Sequence, residues 1–224
     1  MSVSYDILRP SESFEQADLE LWPIGNCQVS GLVDRTGALV WGCVPRVDGD
    51  PVFCALLNGD RRDAGIWRFE LEGQTSIEQH YERNTAILVT RIEAEDGSAV
   101  EIRDFCPRFE SSGRMYRPVA WVRNVRPVSG NPRLRVVLKP MRDYGAEIAP
   151  TTHGTNHVRY LIGPQALRLS TDAPIGYVLE DRSFRVESEL HFFLGPDEPF
   201  SGNLRSELQR MEALTRDYWK IWTR

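Results

Sequence analysis

With 224 residues, 41% of them hydrophobic and 26% charged, and a mean hydropathy of −0.38, the chain can bury one substantial core. It has no apolar run of about 18 residues to cross a bilayer. A net charge of −5 and a pI near 5.5 give no overall pull on phosphate backbones or anionic lipid, so neither nucleic acid nor membrane is an expected partner.

Residues 1–22 are rich in Ser, Glu, Asp and Pro with little periodicity and read as a loosely attached arm. Their start, Met1-Ser2-Val3-Ser4-Tyr5-Asp6, lacks the basic and apolar regions of a secretory signal, which predicts a cytoplasmic location. Residues 23–202 form the body, and from about residue 29 to 195 the apolar pattern has period two. Asp34-Arg35-Thr36-Gly37 and Glu95-Asp96-Gly97-Ser98 supply turns. Trp67, Phe69 and Leu71 alternate with Arg68, Glu70 and Glu72, and Leu134, Val136 and Leu138 oppose Arg133, Arg135 and Lys139, each set marking one buried and one wet strand face. Phe184, Val186, Ser188, Leu190, Phe192 and Leu194 extend that pattern as one long strand, with Arg185, Glu187, Glu189 and His191 facing away. Many short strands broken by Gly and Pro predict an all-β, antiparallel, two-sheet sandwich.

The period then changes. Leu204, Leu208, Met211, Thr215, Tyr218 and Trp222 recur at four- and three-residue steps after a capping Asn203, which predicts a helix over 204–222 within a terminal segment 203–224. Tyr218, Trp219 and Trp222 place a large apolar surface at its end, to pack on the sandwich or to dock a further domain, and to promote homo-oligomer formation.

Other groups point to no cofactor or metal. Cys27, Cys43, Cys54 and Cys106 lack paired metal spacing and are expected as buried free thiols. His153 and His157 flank a Gly-Thr-Asn turn, where a metal site is not favoured. The stretch from Arg114 to Arg135 reads as a solvated sheet face with Trp121 in the core. Arg46, Asp48 and Asp50 follow the Trp41 strand through Pro45; they form an interface loop, a sugar contact or an internal ion pair.

Several ordered motifs carry a family resemblance. Gly25 through Leu57 holds an apolar strand, a D-x-x-G turn, a Trp41 strand and Pro45-Arg46-Val47-Asp48-Gly49-Asp50-Pro51-Val52-Phe53 before a short apolar helix. Asp104-Phe105-Cys106-Pro107, Val122-Arg123-Asn124-Val125, Pro140-Met141-Arg142-Asp143-Tyr144-Gly145 and Trp219-Lys220-Ile221-Trp222 follow. Together they resemble the N-terminal β-sandwich of bacterial glycoside hydrolase family 15, which includes glucoamylase, glucodextranase and trehalase-like enzymes.

The resemblance implies a supersandwich of the galactose-mutarotase-like type, with 203–224 as a linker helix leading to an (α/α)6 barrel that this chain lacks. That barrel hydrolyses α-glucosidic bonds with inversion, using two carboxylates of its own. No catalytic residue is carried over to this chain. The expected role is a noncatalytic scaffold whose partner is the barrel of the same polypeptide, with Trp41, Pro45, Arg46, Asp48 and Asp50 near the α-glucoside side. Tyr144 is expected as a hydrogen-bonded aromatic at a sheet corner. The alternative is an autonomous carbohydrate-binding or aldose-epimerase-like module.

Overall fold

The computed structural model describes residues 3–6, 19–57 and 63–223. In chain order the strands are β1 (Val3–Asp6), β2 (Trp22–Gly25), β3 (Ser30–Val33), β4 (Leu39–Val44), β5 (Asp50–Phe53), β6 (Ile66–Leu71), β7 (Gln74–Tyr81), β8 (Leu88–Ala94), β9 (Ala99–Phe105), β10 (Phe109–Ser111) and β11 (Arg114–Tyr116). They continue with β12 (Trp121–Ser129), β13 (Arg133–Lys139), β14 (Met141–Arg142), β15 (Glu147–Ile148), β16 (Thr151–His153), β17 (His157–Ile162) and β18 (Gln165–Thr171), then helix α1 (Ile175–Leu179), β19 (Phe184–Arg185), β20 (Leu190–Pro196) and helix α2 (Leu204–Trp222).

Two antiparallel sheets carry the fold. Nine strands lie in the order β1-β7-β8-β9-β12-β20-β18-β17-β16, and seven are built from β19-β13-β6-β4-β3-β2 with β5 beside β4. Val3–Asp6, within the stretch read as an arm, pairs with β7 at one sheet edge, and Trp22 belongs to β2. Trp67, Phe69, Leu71, Leu134, Val136 and Leu138 all point into the space between the sheets, as their alternation predicts. Trp121 is fully buried there, and it fits because a side chain on Gly31 or Gly42 would come within 3.0 and 2.9 Å of its ring.

The expected long strand over 184–194 is two strands in different sheets: β19 pairs with β13 and β20 with β12 and β18. The chain crosses between sheets with its alternation in phase. Phe184 and Val186 stay buried before the crossing and Leu190, Phe192 and Leu194 after it, so periodicity alone conceals the break. His191, expected on the solvent side, is fully buried, because the outer face of β20 lies near α2. Helix α1 has too few residues for a helical period to show.

Helix α2 matches its predicted span, with the Asn203 side chain accepting from the Ser206 N–H at 3.1 Å. Such a cap is worth about 1 kcal/mol. Leu208 and Met211 pack on Phe105, Val122 and Phe193 on the outer face of the larger sheet, each burial contributing about 2 kcal/mol. Trp222 does not join this stripe; it is 68% exposed.

Candidate functional site at one end of the sandwich

Strand direction brings the family motifs together. β4 is antiparallel to β3, with Leu32 opposite Trp41, so the turn before β3 and the loop after β4 leave the same end of the smaller sheet. β13 is antiparallel to β6, which is antiparallel to β4, so the β14–β15 excursion emerges there too.

The β2–β3 turn is organised by Asn26. Its buried side chain donates to the carbonyls of Pro107 at 3.0 Å and Pro118 at 2.8 Å, and accepts from the N–H groups of Gln28 and Val29. Arg108 Nη1 donates to the Asn26 carbonyl at 2.5 Å, and its guanidinium lies 4.9 Å from the Tyr218 ring and 6.0 Å from Trp219. The last turns of α2 therefore sit at this end. Tyr218 and Trp219 are half-buried, whereas Ile221 and Trp222 project outward, Trp222 meeting Trp219 edge-on at 5.8 Å. Cys27 is exposed, against expectation, because the turn holds it at φ 66° with its side chain outward, while Cys43, Cys54 and Cys106 are buried thiols.

The β4–β5 loop opens on a cis Val44–Pro45 bond. Trp41 is half-buried within β4. Arg46 and Asp48 form a two-point ion pair at 2.9 and 2.6 Å, which the hydrogen bond holds with the Asp48 carboxyl below its usual range. This is the internal pair that spacing allowed, and it is exposed. Asp50 Oδ1 accepts from the Tyr144 N–H at 2.9 Å, tying the β4–β5 loop to the β14–β15 turn. In that turn Asp143, Tyr144 and Gly145 have φ of 52°, 57° and 83°. Two successive non-glycine residues in the left-handed region cost about 1 to 2 kcal/mol each. Tyr144 is 80% exposed rather than tucked into a corner, since this backbone points its side chain away from the sheets.

A second ionic cluster holds α2. Glu82 receives Arg216 at 2.6 Å, Lys220 at 3.2 Å and Arg103 at 3.3 Å, and Glu212 receives Arg216, Arg103 and the Asn124 amide. Higher on the helix, His191 sits between Asp172 at 2.9 Å and Glu189 at 3.5 Å, with Arg205 3.6 Å from Asp172. Burial would lower the imidazole's pKa, but hydrogen bonds and charge from Asp172 and Glu189 prevail and push it up to about 9.

Within the sandwich, Asp104 and Arg123 form a fully buried pair, Nε to Oδ1 at 2.8 Å, and Arg123 also donates to the carbonyls of Trp67 and Gly37. Arg123 is the member of the Arg-rich stretch that is not solvated. The D-F-x-P and R-x-V motifs are thus two halves of one contact.

Glycoside hydrolysis needs an accessible carboxylic acid with a raised pKa beside a carboxylate. Glu70, Glu72, Glu82, Asp172 and Glu189 are held below the ordinary carboxylate range by partners that outweigh or oppose burial. Burial pushes the Asp104 carboxyl up, against the pull of Arg123, but it is sealed in the core. An open groove of about 420 Å³ is lined by Glu70, Glu72 and Arg135, and those carboxylates are engaged by Arg68, Arg135 and Arg133. His191 and Asp172 form a His–carboxylate pair, but the buried imidazole offers no surface to a sugar. His153 and His157 lie on paired hairpin strands.

The fold and its furnished end define a two-sheet antiparallel sandwich domain with an attached C-terminal helix. Residues 19–172 match the family described as trehalase-like, N-terminal, and the chain belongs to that family. It is 28% identical over 214 residues to a trehalase of Thermoplasma volcanium, covering 89% of this chain and 32% of that relative. Trehalases of Mycolicibacterium smegmatis and Mycobacterium tuberculosis are 27% and 29% identical over 195 residues, covering 75% of this chain and 27% of each relative. The chain spans less than a third of the length of these trehalases.

Asn26, Arg108 and the Glu82 cluster escaped sequence reading. Asn26 had a signal, an Asn after Gly25 at a strand end, but its partners are 81 and 92 residues away. Arg103, Glu82 and Glu212 look like ordinary surface charges until α2 is laid on the sheet.

Proposed function

We propose that this chain acts as the noncatalytic N-terminal domain of a glycoside hydrolase family 15-like enzyme of trehalase type, which cleaves α-glucosidic bonds with inversion in the cytoplasm. The domain scaffolds a catalytic barrel in the same polypeptide. The end carrying Trp41, Pro45, Arg46, Asp48, Asp50, Tyr218, Trp219 and Trp222 faces that barrel on its substrate side. The observation that carries this reading is the match of residues 19–172 to the trehalase-like N-terminal family, in relatives about three times as long.

Glucose release from trehalose and maltose tests it. The 224-residue chain releases none, and a polypeptide that continues into the barrel releases glucose from one of them. Turnover by the 224-residue chain itself, lost on replacing one of its own carboxylates, would overturn the reading.

A further inference from the structure

The β14–β15 turn holds two successive non-glycine residues in the left-handed region, and among the described residues their only side-chain partner across the loops is Asp50, on the Tyr144 N–H. Asp143 and Tyr144 are both left-handed, yet the Tyr144 ring is 80% exposed. Strain of this kind persists where the surrounding structure imposes it, and it gathers at functional sites. The rest of the surface agrees. Val47 in the β4–β5 loop, Leu57 after β5 and Ile148 in β15 are also exposed, and the Tyr144 N–H bond to Asp50 binds the two hairpins into one unit. An added Cβ on Gly145 would lie 3.1 Å from Cys54 Sγ, which places the base of the turn against the segment leading to Leu57.

Among the described residues the two hairpins carry Arg46, Asp48, Asp50, Arg142, Asp143 and Glu147, two cations among four carboxylates. Arg46 holds Asp48 at 2.6 Å and Arg142 holds Glu147 at 2.7 Å. Exposed apolar side chains within such a polar rim are the anatomy of a protein interface. Tyrosine is the kind of residue that anchors one, because it carries large contact area on few rotatable bonds.

We infer that Tyr144 is the central anchor of a docking surface completed by Val47, Leu57 and Ile148, and that its occupant is the catalytic portion of the same polypeptide. This rests on the function proposed above. It extends that reading from the Pro45–Asp50 loop to a second hairpin and names the residue on which docking depends. Length argues for this occupant, since the trehalases that the chain is similar to extend well beyond the third that it matches.

Hydroxyl-radical footprinting read by mass spectrometry tests it on the 224-residue chain and on the longer polypeptide containing it. Tyr144 is labelled readily in the first, and its labelling slows about tenfold in the second, as befits a buried anchor. Tyr177, 38% exposed on α1, serves as the control and keeps its rate in both. Equal labelling of Tyr144 in the two proteins would overturn the docking surface. Protection in the short chain that appears only with added trehalose would replace the partner with a sugar, and protection that grows with its concentration would replace it with a second copy. Tyr144→Ala supplies an independent reading: it leaves the melting temperature of the short chain unchanged and lowers that of the longer one. If the longer polypeptide hydrolyses no α-glucoside while Tyr144 is protected in it, the proposed activity fails and the docking surface stands.

Discussion

Two Arg–Asp pairs of nearly equal geometry sit in opposite surroundings. Arg123 meets Asp104 at 2.8 and 3.0 Å between the sheets, and Arg46 meets Asp48 at 2.9 and 2.6 Å in an open loop. The side chains of the first pair are 1% and 0% exposed, those of the second 67% and 64%. Both lie in motifs that resemble the same family, yet environment assigns them different work. The buried pair, completed by two backbone carbonyls and the faces of Trp67 and Phe69, locks the strands of both sheets together. The open pair adds little to stability and sets the shape and charge of a surface.

The largest expected effect lies at the buried pair. Arg123→Met strands Asp104 in the core and should cost about 3 to 5 kcal/mol in urea unfolding. Adding Asp104→Leu should recover part of that loss, and a double variant no better than the single would show that packing, not charge, sets the cost.

The next effect is His191 beneath α2. Its folded pKa near 9 exceeds the ordinary value of 6.5, so the stability it contributes is full below about pH 6.5 and is lost as pH rises through about 9. Asp172 and Glu189 are held low, so their contribution fades instead as acid protonates them. Denaturation at pH 6 and pH 9.5 should differ by about 3 kcal/mol, and His191→Gln should flatten that difference.

Smaller still is the ionic clamp on the end of α2, where Glu82→Gln should cost about 1 kcal/mol, because the cluster is only partly buried. Hydrogen exchange should show faster opening of residues 216–222 in that variant. Arg46→Ala should leave the melting of the 224-residue chain unchanged; a clear drop would make the open pair structural and blur the contrast with Arg123.

The contrast also marks what could be read from sequence. Strand faces such as 67–71 and 134–138, and helix α2 with its Asn203 cap, follow from local periodicity and were legible. The sheet crossing at 186–189 was hidden because alternation continues through it in phase. Arg123 looked like one more arginine on a wet face, since its carboxylate lies 19 residues away on another strand. At the candidate site the Arg46–Asp48 spacing was legible, but the exposure of Tyr144 was not: left-handed backbone at Asp143 and Tyr144 is imposed by the turn and by Asp50, 94 residues from Tyr144.

The most direct test of the claim that this end of the sandwich is built for a partner is the melting of an Arg46→Ala/Tyr144→Ala double variant in two settings. In the 224-residue chain it should melt with the parent, and in the longer polypeptide it should melt lower and release glucose more slowly from the α-glucoside that the parent cleaves. Equal behaviour of variant and parent in both settings would contradict the account.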